Sequence, residues 1–304
     1  MKRLFYIILC ITAVSAMCGC NKIEEAPAMA EVSETEAVTE ITIPDYPIEL
    51  NGEPFDKAPE RIVCLSPAFT EILFELGYGD AVIGRGSYCD YPPEVLDIPD
   101  TGSSVNPDIK LITAADPEIV ITESPVAKKD ITDLNDSGIR VISVSPPQDI
   151  YDIYDIYYGA ALLMSGANNA EVIARGAVND MYTAVENIHN SAGSFIYIMN
   201  SNMSAATGDT FTGRFMSLFG ENIAEEHTGY YIPAEDIKAA DPDLIFLSKD
   251  VDGEKFREDF SELSAVKNKR ILRVDTSLLE RPTSRLEKMI TGLDEALEKY
   301  NSAE

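Results

Sequence analysis

Residues 61–93, RIVCLSPAFTEILFELGYGDAVIGRGSYCDYPP, decide the fold. Ile62-Val63-Cys64-Leu65 is an apolar run of the length of one buried strand. Ser66-Pro67 interrupts it, and Thr70-Glu71-Ile72-Leu73 with Leu76 carries apolar side chains at helical spacing. Gly77 and Gly79 end that helix, since glycine takes the left-handed cap conformation at no steric cost. Ala81-Val82-Ile83-Gly84 is a second strand, and a polar, aromatic loop, Gly86–Pro93, follows it. Strand, helix, strand and loop form a parallel unit. The loop then lies at the carboxyl edge of the sheet, where open α/β sheets bind ligands.

Outward from this unit the pattern repeats. Pro107–Ala115 reads as a short helix stopped by Asp116-Pro117, and Glu118–Thr122 as a strand. Ala127–Ser137 is helical and Arg140–Val144 is the next strand. These strands are apolar without alternation, the mark of a sheet covered on both faces. Upstream, Asn51-Gly52 between short alternating runs in Tyr46–Pro59 signals a hairpin. Downstream, Asp149–Met164 is a helix with Tyr151, Tyr154 and Tyr158 on one face, a stripe read as core packing rather than ligand stacking. Asn168 is placed to cap a second helix, Asn169–Asn190, of about 33 Å, read as a stiff strut.

A second α/β set follows. Its strands fall at Phe195–Met199, Leu244–Leu247 and Arg270–Val274, its helices at Phe211–Phe219, Ala234–Ala240, near Lys255–Leu263 and at Arg285–Tyr300. Ala114-Ala115-Asp116-Pro117-Glu118-Ile119-Val120-Ile121 recurs as Ala239-Ala240-Asp241-Pro242-Asp243-Leu244-Ile245-Phe246, the same helix-stop-strand corner in each half. The fold class is therefore α/β: two Rossmann-like lobes with mostly parallel sheets, joined by one long helix, with a cleft between them.

The ends and the composition bound the setting. Lys2-Arg3, the apolar run Leu4–Val14 and Ser15-Ala16-Met17-Cys18-Gly19-Cys20 resemble a bacterial lipoprotein signal. Cys20, after the small Gly19, is the expected lipidation site, with Cys18 the alternative. A diacylated Cys20 would anchor the protein on the outer face of the cytoplasmic membrane. Removing residues 1–19 leaves 22 basic and 52 acidic side chains, a net of −30. That charge excludes nucleic acid and docking on anionic lipid, both of which need clustered Lys and Arg. Asn21–Asp45 carries seven acids against one Lys and little apolar periodicity, the composition of a flexible tether. Cys64 lies in a buried strand, so it and Cys89 are read as two unlinked thiols rather than a bridge. The expected division is a signal peptide over 1–19, an acidic tether over 20–46, an N-terminal lobe over 47–167, an interlobe helix over 168–190 and a C-terminal lobe over 191–304.

Ser66-Pro67-Ala68-Phe69-Thr70-Glu71, Ser87-Tyr88-Cys89-Asp90-Tyr91-Pro92-Pro93, the Asp-Pro corner and the interlobe helix together resemble one family. It is that of the substrate-binding proteins of ABC importers for cobalamin, iron-siderophores and haem, and the likeness, strongest to its periplasmic cobalamin-binding members, covers about Arg61–Tyr300. The resemblance implies a monomer that holds its ligand between the lobes and delivers it to a permease and an ATPase. It places Tyr88 against the ligand, with Asp90, Tyr91 and Ser103 in the same lobe. Thr207, Tyr230, Tyr231 and Arg281 match from the second lobe. It also implies docking on the permease through one acid per lobe. Counting back from Pro242 gives Glu235; the same count from Pro117 gives Lys110, so Asp108 is the first-lobe candidate.

Two histidines, His189 and His227, are too few for a multi-His zinc or manganese site. No metal site is expected, although His227 remains a candidate axial ligand to haem iron or cobalt. No cofactor is expected beyond the bound ligand. A corrinoid is large, nearly neutral and amphipathic, which suits tyrosines and few charges. Ferric siderophores and haem are anionic and would draw on Arg85, Arg214 and Arg281. Ser66 lacks a nucleophile-elbow sequence and no base is paired with it by motif, so an enzyme has little support. A surface lipoprotein that binds or senses without transport is the second class that the sequence allows.

Overall fold

The structure is a computed structural model that describes residues 45–123, 126–275 and 277–302. The signal segment, Cys18, Cys20 and nearly all of the acidic tether lie outside the described residues. The chain enters through a hairpin of β1 (Ile48–Leu50) and β2 (Glu53–Phe55). Asn51 and Gly52 at its tip have φ of 52° and 82°, the two positive values that a tight hairpin turn of the right twist demands. Asn51 Nδ2 donates to the Ser143 carbonyl at 2.8 Å, fixing the hairpin to the neighbouring sheet.

That sheet is built from β3 (Ile62–Cys64), β4 (Val82–Arg85), β7 (Ile119–Thr122) and β8 (Arg140–Ser143), all parallel, in the order β4-β3-β7-β8. Between them run α1 (Pro67–Glu75), a two-stranded ribbon of β5 (Gly102–Ser103) and β6 (Asn106–Pro107), α2 (Ile109–Ala115) and α3 (Lys128–Asp136). Ser66 caps α1 by accepting from the Phe69 N–H at 3.1 Å, and Pro67 takes the first helical position, where no donor is needed. Helices α4 (Ile153–Ser165) and α5 (Ala170–Glu186) then pack along each other.

The second sheet has β9 (Ser194–Ile198), β10 (Glu221–Asn222), β11 (Leu244–Ser248) and β12 (Ile271–Val274), again all parallel, ordered β10-β9-β11-β12. Helices α6 (Phe211–Met216), α7 (Ala234–Ala240), α8 (Gly253–Asp259), α9 (Ser264–Lys267) and α10 (Leu286–Ser302) complete the chain. Numbered within each sheet, both lobes have the order 2-1-3-4. The repeated corner is equally alike, with Asp116 and Asp241 both left-handed, at φ of 51° and 43°.

One core runs through both lobes. Ile119 and Ile121 of β7 and Leu244 and Phe246 of β11 belong to the same buried cluster as Tyr157, Met181 and Leu286 from α4, α5 and α10. The opposite sheet faces carry separate clusters, around Val120 in the first lobe and Ile245 in the second. Every residue of β7 and β11 is buried, which is why neither strand alternates.

Two expectations need correction. The interlobe helix begins at Ala170, and Asn169, at its N-cap position, makes no side-chain cap. It also ends at Glu186, and instead of a free strut it is the middle of a helical layer between α4 and α10. The tyrosine stripe is core only in part: Tyr154 and Tyr158 are partly buried and pack against the core, as does the fully buried Tyr157, whereas Tyr151 is 62% exposed. Helix α4 begins only at Ile153, so Tyr151 lies outside it.

Candidate functional site

The loop at the carboxyl end of β4 is braced from behind. Arg85 donates from Nε to the Ile98 carbonyl at 3.1 Å and from Nη1 to the Cys89 carbonyl at 3.4 Å, with Asp100 3.6 Å away. Cys89 and Cys64 are buried free thiols, and the Thr70 hydroxyl donates to the Cys89 sulfur at 3.3 Å. Burial pushes both thiols up from their ordinary pKa. So held, the loop presents Tyr88, 68% exposed, with Asp90 and Tyr91 beside it. Ser103 stands in the β5–β6 ribbon, where its hydroxyl accepts from the Asn106 N–H at 3.2 Å.

The second lobe answers with two loops. Thr207 is buried, so it does not line the open cleft. Its hydroxyl donates to Asp209 at 2.6 Å and accepts from the Tyr230 N–H at 3.1 Å. Asp209 also accepts from the Gly229 N–H at 3.0 Å. These bonds stitch the loop to the Tyr230-Tyr231 lip, whose rings remain exposed, with Tyr230 at φ 61°. The residues named for stacking are thus present, with Thr207 as their support.

The other loop, just before α10, carries Arg281, which donates both terminal nitrogens to the Asp90 carboxylate across the lobes, the longer bond being 3.2 Å. That contact holds the Asp90 carboxyl below the usual carboxylate range. Beneath it lies Glu71 of α1, a residue that the sequence did not single out as a site. Its Oε2 accepts from Arg285 at 2.9 Å, and its Oε1 is 3.9 Å from Arg281. Burial raises the Glu71 pKa, against the pull of Arg285 and Arg281. The Arg285 guanidinium lies 3.7 Å above the Tyr91 ring. Ser284 and Tyr157 converge on Glu75: Ser284 Oγ donates to Oε1 at 2.7 Å and Tyr157 Oη to Oε2 at 2.5 Å. A cavity of about 460 Å³ opens beside this network, between Tyr91 and Pro92, α1, α5 and the start of α10. Partners 82 to 214 residues apart leave no local signal in a sequence. Arg281 was legible as a candidate, but not which acid it would meet.

The remaining candidates lie apart from this cluster. Arg214 donates to the Gly208 and Gln148 carbonyls, at 3.0 and 3.2 Å. His227 Nε2 is 3.2 Å from Asp236, the first-turn acid next to Glu235. Glu235 itself is exposed, and Asp108 is exposed but occupied as the cap of α2, accepting from the Lys110 and Leu111 N–H groups. Among the described residues no group of three or more His, Cys, Asp or Glu is placed to hold a metal ion. Two more charged groups mark the strand ends. Lys249 after β11 holds the Asp275 carboxyl down, to about 2, through a 2.6 Å bond. Glu123, at the carboxyl end of β7, is pushed up by burial to about 7.

The family model described as periplasmic binding protein matches residues 62–278, from the first strand of one lobe past the last strand of the other. This chain belongs to that family. It is 28% identical to an uncharacterized ABC transporter substrate-binding lipoprotein of Bacillus subtilis, over 95% of this chain and 94% of the relative. It is 25% identical to the vitamin B12-binding protein of Vibrio cholerae, over 74% of this chain and 84% of that one. Among solved structures it resembles the periplasmic vitamin B12-binding protein of Vibrio cholerae, with a TM-score of 0.64 at 20% identity over 79% of this chain and 98% of that one. It also resembles a periplasmic haem-binding protein in complex with two haems, with a TM-score of 0.68 at 17% identity over 80% and 98%. These structural likenesses establish the two-lobed fold.

Proposed function

We propose that this chain is the extracytoplasmic substrate-binding component of an ABC importer, anchored through Cys20, and that its cleft captures a corrinoid. The family and the relatives named for ABC transport and vitamin B12 support the first part. One observation carries the second. Each arginine that an anionic ligand would need is already held, Arg281 by Asp90, Arg285 by Glu71, and Arg85 and Arg214 mainly by backbone carbonyls. Beside these neutralised pairs, the loops expose aromatic rings: Tyr88, Tyr91, Tyr230 and Tyr231. Such rings suit a large amphipathic ligand that stacks and takes a few hydrogen bonds. The formal net charge of −28 also repels haem propionates and ferric catecholates at long range. For docking, Glu235 is the free acid, whereas using Asp108 would uncap α2.

Titration of the purified protein with cyanocobalamin, haemin and a ferric catecholate, read by calorimetry and tyrosine fluorescence, tests this reading. Micromolar or tighter binding of cyanocobalamin is expected, and Tyr88→Ala should weaken it by about tenfold or more, as loss of an aromatic anchor does. Absence of heat and quenching with any corrinoid at micromolar concentration sinks the corrinoid assignment.

A further inference from the structure

Four charged side chains meet where the lobes face each other, two acids from the first and two arginines from the second. Arg281 is bound to Asp90 and Arg285 to Glu71, so the cluster is neutral. Glu71 is only 3% exposed, yet its Oε1 accepts no hydrogen bond. A buried carboxylate is costly unless charge compensates it, and the two guanidinium groups, one bonded and one 3.9 Å away, are its compensation.

We infer that Asp90 and Glu71 form an electrostatic filter that withholds Arg281 and Arg285 from anionic ligands and so sets the specificity of the cleft. An incoming carboxylate could reach Arg281 only by displacing Asp90 and leaving that acid without its partner beside a second negative group. A neutral ligand stacked on Tyr88 leaves the pair intact. Discrimination of this kind works by penalising the wrong ligand and needs no additional contact to the right one. The unused Glu71 Oε1 adds a second station: when Asp90 is removed, Arg281 still has an acceptor within reach, so the arginines stay in place while the net charge becomes +1.

The inference rests on the binding role proposed above, and haemin is the probe that separates the two. Asp90 is exposed, so Asp90→Asn should keep the fold, checked by far-UV circular dichroism. It should bind haemin about tenfold more tightly than the unaltered protein, the order of effect of removing one like charge near the site. Raising salt from about 50 to 500 mM should shrink that gain. Asp90→Glu, which restores the charge, should return haemin binding to the original level. Arg281→Gln, which makes the cluster −1, should weaken haemin further. Equal haemin affinity in Asp90→Asn and the unaltered protein, or no haemin binding by either, overturns the filter. Failure of the unaltered protein to bind cyanocobalamin overturns the corrinoid assignment, while the haemin comparison still decides the filter.

Discussion

The two lobes are one frame carrying different fittings. Both have a four-stranded parallel sheet of order 2-1-3-4, and both turn into their third strand through a left-handed Asp followed by Pro. In each, the acid after that Pro ties the corner to the entry of the lobe's first strand. Glu118 accepts from the Glu60 N–H, and Asp243 from the Ser194 N–H, both at 2.8 Å. The divergence lies past the strand ends. The first lobe presents an aromatic loop and Asp90, above the buried Glu71; the second presents two arginines and a tyrosine lip. Repetition therefore governs what must fold, and asymmetry is confined to what faces the ligand.

The strongest test of a shared frame uses equivalent residues at its centre. Phe246 of β11 stands where Ile121 stands in β7, and both are buried in the cluster that spans the lobes. Phe246→Ala should cost about 4 kcal/mol and Ile121→Ala about 3 kcal/mol, as large-to-small core changes do. Because the core is continuous, each variant should shift a single urea transition, seen together by circular dichroism and tyrosine fluorescence. Two separated transitions would mean that the lobes fold independently and that the shared core adds little.

How much of this could be read from residues alone differs between frame and fittings. Strands such as Ile119–Thr122 and Leu244–Ser248, the helix Ala234–Ala240 and the repeated corner were legible because apolar period, caps and Asp-Pro stops are local. The two-residue strands β5, β6 and β10 were not, because so short a pairing has no periodicity to detect. Tyr88, Asp90 and Arg281 were legible as positions in motifs. Their connection was not, since Arg281 meets Asp90 across 191 residues of chain and Glu71 meets Arg285 across 214. Thr207, which its motif places among the ligand residues, is buried and supports the Tyr230 loop, a tie that no local pattern announces. Of the tyrosine stripe, Tyr154 and Tyr158 pack on the core as their spacing implies, while Tyr151 falls before the start of α4 and is exposed.

A second test compares the ends of those same strands. Glu123 follows β7 where Ser248 ends β11, so the first lobe holds an acid where the second holds a hydroxyl that caps the Asp250 N–H at 3.3 Å. With its pKa raised to about 7, the native Glu123 keeps a proton that the unfolded chain releases near pH 4.5. The native state thus binds more protons across that window, and this residue's contribution to stability falls as pH rises from about 4.5 to 7. Glu123→Gln should therefore be more stable than the unaltered protein at pH 8, by about 2 kcal/mol after allowing for residual solvent contact. The gap should close at pH 5 in urea unfolding. A gap independent of pH would show that the Glu123 carboxyl is already ionised in the fold.

The smallest effect separates the two corners themselves. Asp116 and Asp241 share a left-handed backbone that glycine adopts without the Cβ penalty. Their side chains do not share partners. Asp241 accepts from the Ser264 N–H at 2.7 Å and from its hydroxyl at 2.6 Å, contacts that hold its carboxyl below the ordinary range. At Asp116 it is the backbone carbonyl, accepting from Arg61 Nε at 2.9 Å, that ties the turn, and glycine retains that bond. Asp116→Gly should raise the melting temperature by about 1–2 °C, since relief of the left-handed strain slightly exceeds the added chain entropy. Asp241→Gly should lower it, because the tie to the start of α9 is lost. If both variants move the melting temperature in the same direction, the tie to Ser264 does not distinguish the corners, and the backbone alone sets their energetics.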